Sequence, residues 1–303
     1  MATYYYHRRL SDKFFDFLII GAVTVLALLC LYPFWYVIIL SFNTGQNAMQ
    51  GGVIIWPHQF TLMNLEMVLK DPRILNGFLI SIARVAVVVP LSLLVNAGCA
   101  YAMTRPEFRI KGIVTTVFVA TILFNGGLIP YYLVLVELKI NNSFWVYVWP
   151  GLASVWTIIV MRVSFKEIHP ALIECAMVDG ANHGRIWWGI IMPLSKPMLA
   201  AMALFTSVGV WNEWFAGNFF VSNPALRPLS TVLFHIVNKV ETRSLIQRYI
   251  TNQNFIEADK LAQVTPLVIQ MAAVFVTTLP ILIVYPFLQK YFMKGVMVGS
   301  IKE

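Results

Sequence analysis

The chain of 303 residues carries 59% hydrophobic and 12% charged side chains, with a mean hydropathy of +0.73 and a formal net charge of +8. Soluble domains run near a quarter charged, so these few charges cannot clothe a water-soluble surface of this size. Ordinary Gly and Pro and only three cysteines exclude collagen-like, disordered and disulfide-stapled chains, leaving a membrane-embedded protein.

Six apolar stretches have the roughly 20 residues a helix needs to cross the hydrocarbon core. They run from Phe14 to Leu40, Asn76 to Met103, Gly112 to Val136, Phe144 to Met161, Met198 to Ala216 and Pro266 to Gln289. None alternates apolar with polar residues, as the strands of a membrane barrel would. The first is too long for a cleavable signal, and no small-residue cleavage site follows it. The predicted fold is an all-α membrane protein with six transmembrane helices.

Lys and Arg set the orientation. With the N-terminus inside, the inner segments hold Arg8, Arg9 and Lys13; Arg105, Arg109 and Lys111; Arg162, Lys166, Arg185 and Lys196; and Lys290, Lys294 and Lys302. The short outer segments hold only Lys70, Arg73 and Lys139. Both termini are therefore expected in the cytoplasm. The implied plan is a cytoplasmic segment over 1–13, a transmembrane domain over 14–290 and a cytoplasmic tail over 291–303. External loops fall near 42–75 and 217–265, the second with a short surface helix over Leu245 to Ile256. The scattered basic residues suit membrane orientation and exclude a nucleic-acid partner. Cys30, Cys99 and Cys175 form no C-x-x-C pair and read as small buried residues. The five histidines make no i, i+4 pair, so no metal site is expected. No G-x-S-x-G elbow is present, and no pair of catalytic residues stands out, so catalytic residues are expected to be none.

The inner segment from Ser164 to Lys196 is patterned as two short helices. Pro170 suits the first turn of a helix through Val178, and Asp179-Gly180 breaks it because Gly takes positive φ readily. A second helix is predicted from Gly184 to Ile191, ended by Pro193. The result is a bent amphipathic elbow at the membrane surface. By periodicity alone it serves equally as a grip for a soluble partner or as an interfacial helix.

The spacing Glu174-Cys175-Ala176, Asp179-Gly180-Ala181, Ile190 and Pro193 resembles the E-A-A-x-x-D-G-A … I-x-L-P loop of ABC importer permeases. Cys175 stands for Ala and Met192 for Leu, both modest changes in volume. Asn76, Ala100-Tyr101-Ala102 with Arg105, Trp211-Asn212-Glu213 and the tail Lys294-Gly295-Val296 … Gly299-Ser300-Ile301-Lys302 resemble the carbohydrate branch. The run Phe124-Asn125-Gly126-Gly127-Leu128-Ile129-Pro130-Tyr131 resembles permeases for complex or polymeric carbohydrates, acidic alginate-like polysaccharide among them.

The resemblance implies a type I importer permease fold and an ATPase-coupling role for Glu174, Ala176, Asp179, Gly180, Ala181, Ile190 and Pro193. It places Gly295, Gly299 and Lys302 in tail contact with the ATPase. The apolar face of the elbow would come from Met177, Val178, Ile186 and Trp187. Without a G-x-x-x-x-G-K-[ST] loop the chain binds no cofactor itself, so ATP and Mg²⁺ belong to a partner. The implied partners are a second permease subunit, two copies of an ATP-binding subunit, an extracytoplasmic solute-binding protein, carbohydrate and membrane lipid. An importer for a non-sugar solute and a membrane-embedded enzyme are the alternatives.

Charges at bilayer depth mark candidate functional residues. Arg84 in the second span, and Trp211, Asn212 and Glu213 near the outer end of the fifth, are the candidate substrate path. Arg84 either meets an acidic sugar, snorkels outward, or pairs with Glu213 to hold helices together. Asn96 reads as interhelical glue. Tyr32, Trp35, Tyr36, Trp145, Tyr147 and Trp149 read as interfacial belts.

Overall fold

The computed structural model describes residues 10–124, 126–238, 246 and 264–300. Among them the chain is helical, with a single isolated bridge between Asn43 and Phe60. Three helices are long and apolar enough to cross a membrane: α1 (Leu10–Ser41), α4 (Pro72–Thr104) and the last, α15 (Pro266–Ser300). Three bent helix pairs bring the number to six if each pair is one span. The protein is thus an integral membrane protein with three to six spans.

Two compact units make up the chain, Met1–Lys70 with Lys239–Val276, and Asp71–Asn238 with Thr277–Glu303. In the first, α1 is followed by α2 (Gly45–Gln50) and α3 (Met63–Leu69). Ile39, Leu40, Ala48, Val53 and Val268 form its small core.

The second unit is built around α4. Asp71 caps its first turn by accepting the Arg73 N–H, and Pro72 occupies the first helical position. Gly77, Ser81, Arg84, Val88, Ser92, Asn96, Ala100 and Met103 are all buried, at spacings of three and four residues that put them on one stripe. Small and polar residues there let neighbouring backbones close in, as membrane helices require where lipid gives no hydrophobic drive to associate. A Cβ on Gly77 would meet the Leu229 backbone at 3.2 Å, and Ser81 Oγ accepts from the Leu229 N–H at 2.9 Å, so α14 (Leu229–Val237) crosses here.

The remaining predicted spans are each interrupted. The third is two helices, α5 (Lys111–Leu123) and α6 (Leu128–Glu137), bent by 118°. Gly127 at φ +82° stands immediately before the second helix, and Pro130 fits that helix's first turn because an N–H there has no partner to lose. The fourth bends by 46° between α7 (Trp145–Val148), with the 3₁₀ turn Trp149–Gly151 at Pro150, and α8 (Val155–Lys166). The fifth is α12 (Lys196–Asn212), broken at Glu213 and Trp214 before α13 (Phe215–Phe219).

The sixth helix continues past Gln289 to Ser300, so Gly295 and Gly299 lie on helix, while Lys302 lies outside the described residues. Asn125 and the predicted surface helix over Leu245 to Ile256, apart from Ile246, also lie outside them. Cys30 and Cys175 are exposed rather than buried.

Candidate functional site

The elbow between α8 and α12 begins at α9 (Pro170–Val178), where His169 Nδ1 accepts the Ala171 N–H and Pro170 opens the first turn. Its end is a Schellman motif. The Ala181 N–H reaches the Ala176 carbonyl at 2.9 Å, and the Gly180 N–H reaches Met177 at 3.0 Å, with Gly180 at φ +81°. Ala176 and Ala181 both rest on the underlying core, the apolar contact that usually accompanies this closure. Asp179 and Gly180 therefore carry chain reversal as well as composition. Asn182 restarts the chain by accepting the Arg185 N–H, opening α10 (His183–Ile186).

Pro193 does not end this second helix. A π turn over Trp187–Ile191 carries it into α11 (Met192–Leu194), and it bends by 82° only at Ser195. The Met192 N–H bonds the Trp187 carbonyl five residues back. Such a wider turn accommodates a proline, which has no N–H to give an α-helical carbonyl. Ile173, Ile186 and Ile191 are buried with Tyr101 and Met103 of α4, Met161 and Phe165 of α8, and Met202 of α12, so the elbow sits on the ends of these helices. Tyr101 Oη also lies 3.3 Å from His183 Nδ1.

The outward apolar face differs from the expected one. Ile186 is fully buried and Trp187 packs inward, whereas Leu172, Met177, Val178 and Trp188 are exposed. Glu174, Asp179, Gly180 and Pro193 are exposed beside them, and Ile190 packs against the core. The helix break at 179–182 rotates the second helix, which amphipathic periodicity within one helix cannot convey.

Arg84 lies at the other region. It is 3% exposed; its Nη2 donates to Glu213 Oε2 at 2.6 Å and its Nη1 to the Glu213 carbonyl at 3.1 Å. Its guanidinium lies 4.3 Å from the Tyr147 ring centroid. Glu213 Oε1 accepts the Ala216 N–H, and its carbonyl also accepts from Ser230 Oγ. One carboxylate thus neutralises the buried cation and caps the helix that resumes after the break.

Arg84, Tyr131, Tyr147, Glu213, Phe215 and Phe220 line a cavity of about 590 Å³. Tyr147 is buried, with its hydroxyl donating to the Leu226 carbonyl, and so is no belt residue. Tyr36 is half-buried, while Tyr32, Trp35, Trp145 and Trp149 are exposed.

Trp211 and Asn212 do not join this cavity. They line a second one of about 250 Å³ with Trp214, Ser230, Phe234 and Asn238 among its other walls. There Trp214 stacks on Phe234 with centroids 3.9 Å apart. Trp211 and Asn212 close α12 while Glu213 stands at the break, and these consecutive side chains reach two different cavities. Sequence reasoning missed Tyr131, Phe215 and Phe220; the adjoining Gly126-Gly127 break was the available signal for Tyr131.

Asn96 is fully buried and ties α4 to the bend before α8. It donates to Ser92 and to the Leu152 carbonyl at 3.1 Å and accepts the Ser154 N–H at 2.9 Å.

The chain is 31% identical over 283 residues to protein LplC of Bacillus subtilis, covering 93% of this chain and 91% of that one. It is 30% identical over 293 residues to the polygalacturonan/rhamnogalacturonan transport system permease protein YtcP of the same organism, covering 97% and 100%. This chain belongs to the carbohydrate ABC transporter permeases. The trehalose/maltose permease MalG of Thermococcus litoralis is 26% identical over 94% of this permease and 96% of its own length. Among solved structures, a chain of a bacterial ABC transporter involved in import of the acidic polysaccharide alginate matches this permease with a TM-score of 0.81. The two are 26% identical, and the match covers 95% and 99% of the chains. No family model matches the sequence.

Proposed function

We propose that this permease forms one half of the path of an ATP-driven importer in the bacterial inner membrane, taking an oligo- or polysaccharide of acidic, alginate-like character. In this reading the bent pairs complete six spans, both termini are cytoplasmic, and the cavity alternates between inner and outer access. A second permease supplies the other half, two ATP-binding subunits hold ATP and Mg²⁺, and an extracytoplasmic binding protein delivers the sugar.

The observation that carries the proposal is that α4 serves both regions. Arg84 lines the cavity from its middle, and Tyr101 and Met103 at its end seat the elbow. Seventeen residues of helix make a rod of about 25 Å between them. Movement of the elbow by an ATPase subunit would be transmitted along this rod rather than absorbed in a loop. Glu174, Asp179 and Gly180, with exposed Leu172, Met177 and Val178, would form the face the ATPase grips, while Ala176, Ala181, Ile190 and Pro193 hold its shape. Gly295, Gly299 and Lys302 would extend the contact from the tail. Aromatic rings around the Arg84 cavity and beside Trp211 and Asn212 suit stacking on pyranose faces.

The substrate class is supported by the polymers named for YtcP and for the alginate importer. Co-purification of this chain from gently solubilised membranes, then ATPase assays with acidic and neutral oligosaccharides, tests the reading. Stimulation by the acidic series is expected. Repeated recovery of the chain alone would overturn the subunit assignment, and stimulation confined to neutral sugars would overturn the substrate.

A further inference from the structure

The segment joining α1 to α3 is built inside out for a loop in water. No Asp, Glu, Lys or Arg occurs between Asp16 and Glu66. A hydrated stretch beyond a membrane helix would carry charges at near a quarter of its positions.

The polar side chains at its two ends, Asn43, Thr44 and Asn64, turn inward and close the neck. The Thr61 N–H reaches the Phe42 carbonyl at 2.8 Å, and the Thr44 N–H reaches the Gln59 carbonyl at 3.0 Å. Asn43 Oδ1 accepts the Gln59 N–H, and Asn64 Nδ2 donates to the carbonyls of Ser41 and Asn43. Asn43, Thr44 and Asn64 are all buried. Gly51 and Gly52, at φ +80° and +81°, turn the chain back.

What faces outward is uncharged and rich in large apolar side chains: Met49 is 72% exposed, Ile55 72% and Trp56 68%, with Ile54, Phe60 and Leu62 beside them and the neutral polar groups of Gln46, Gln50, His58 and Gln59 among them. The patch adjoins the exposed apolar side of α1, because Trp35 Nε1 donates to the Ile55 carbonyl at 3.0 Å. Trp35 stands near the end of a helix whose most apolar 18-residue stretch holds no buried residue.

We infer that the segment from Met49 to Leu62 is a membrane foot, lying in the lipid headgroup region at the end of α1 with Ile54, Ile55 and Trp56 dipped toward the acyl chains. Continuity with the exposed apolar side of α1, a helix long and apolar enough to cross a membrane, selects lipid as the occupant. Irregular backbone excludes the hydrocarbon core itself, where unpaired peptide groups are too costly, so the foot stays at the interface. Tryptophan favours that depth. The inference rests on α1 spanning a membrane and is independent of what the permease carries.

The test is nitroxide labelling in the assembled transporter in phosphatidylcholine/phosphatidylglycerol vesicles. Cys30, Cys99 and Cys175 are first replaced by Ser, and labels are placed at Ile55→Cys and, separately, Met49→Cys, with Leu28→Cys as a lipid reference within α1. Relaxation by oxygen several-fold stronger than by a water-soluble nickel chelate at Ile55, approaching the Leu28 ratio, is expected. Stronger relaxation by the nickel chelate at both sites would place the segment in water and overturn the foot. Weak relaxation by both agents would overturn it in favour of a covering protein. Sugar-independent ATPase leaves these outcomes unchanged, so failure of the transport reading is separable.

Discussion

The Ala181 N–H closes on the Ala176 carbonyl at 2.9 Å across Gly180, whose φ of +81° suits glycine above other residue types. This single closure turns α9 back on itself and presents Glu174 and Asp179 outward while Ile173 and Ile186 hold the core. The elbow is consequently a shaped body rather than a hinge, as a lever requires.

A Cβ at Gly180 would meet nothing within 4 Å, so substitution there acts through backbone conformation alone. Gly180→Ala is expected to cost about 1–2 kcal/mol of local stability and to reduce coupling modestly. Gly180→Pro forbids the conformation and deletes the N–H given to Met177; it should leave the protein in the membrane but separate ATP hydrolysis from uptake. Paired ATPase and uptake assays in vesicles check this, and normal uptake by the proline variant would refute the lever.

Arg84 and Glu213 are unequal partners, the first 3% and the second 35% exposed at the side chain. Glu213→Leu leaves a buried cation without its carboxylate and should cost about 3 kcal/mol. Arg84→Leu leaves a carboxylate that water can reach and should cost about 1–2 kcal/mol. Their double variant should cost less than the sum, read from thermal unfolding in detergent. Because Arg84 is already paired, Arg84→Leu is expected to lower uptake of acidic and neutral oligosaccharides alike. A loss confined to acidic ones would make Arg84 a carboxylate contact.

Two glycines of α4 offer a matched comparison. Gly77→Ala pushes a methyl against the Leu229 backbone and Val232 at 3.2–3.3 Å, whereas Gly98→Ala meets nothing within 4 Å. The first should destabilise by about 1–2 kcal/mol through overpacking. The second should be neutral or stabilising by up to about 1 kcal/mol through helix propensity. Equal melting temperatures for the two would deny that α14 packs on α4 at Gly77.

The bias of Lys and Arg predicts that a tag added after Glu303 resists protease applied to intact cells and becomes accessible when the membrane is permeabilised. Cleavage in intact cells would invert the topology.

Long apolar runs state their preference for lipid residue by residue, so the membrane class, the stretches around α1, α4 and α15, and the place of the elbow were legible from the sequence. The turn at Asp179-Gly180-Ala181 was equally legible, because a left-handed glycine after a short helix is a local event. The breaks at Gly127, Pro150 and Glu213 were less so, since each lies inside a run whose hydropathy alone reads as unbroken. Tertiary structure alone decided that Ile186 and Trp187 turn inward, that Tyr147 lies against Arg84 rather than at the interface, and that Trp211 and Asn212 part from Glu213. Which face a side chain takes depends on the neighbour that packs against it. That neighbour comes from distant sequence, as when Glu213 reaches Arg84 across 129 residues.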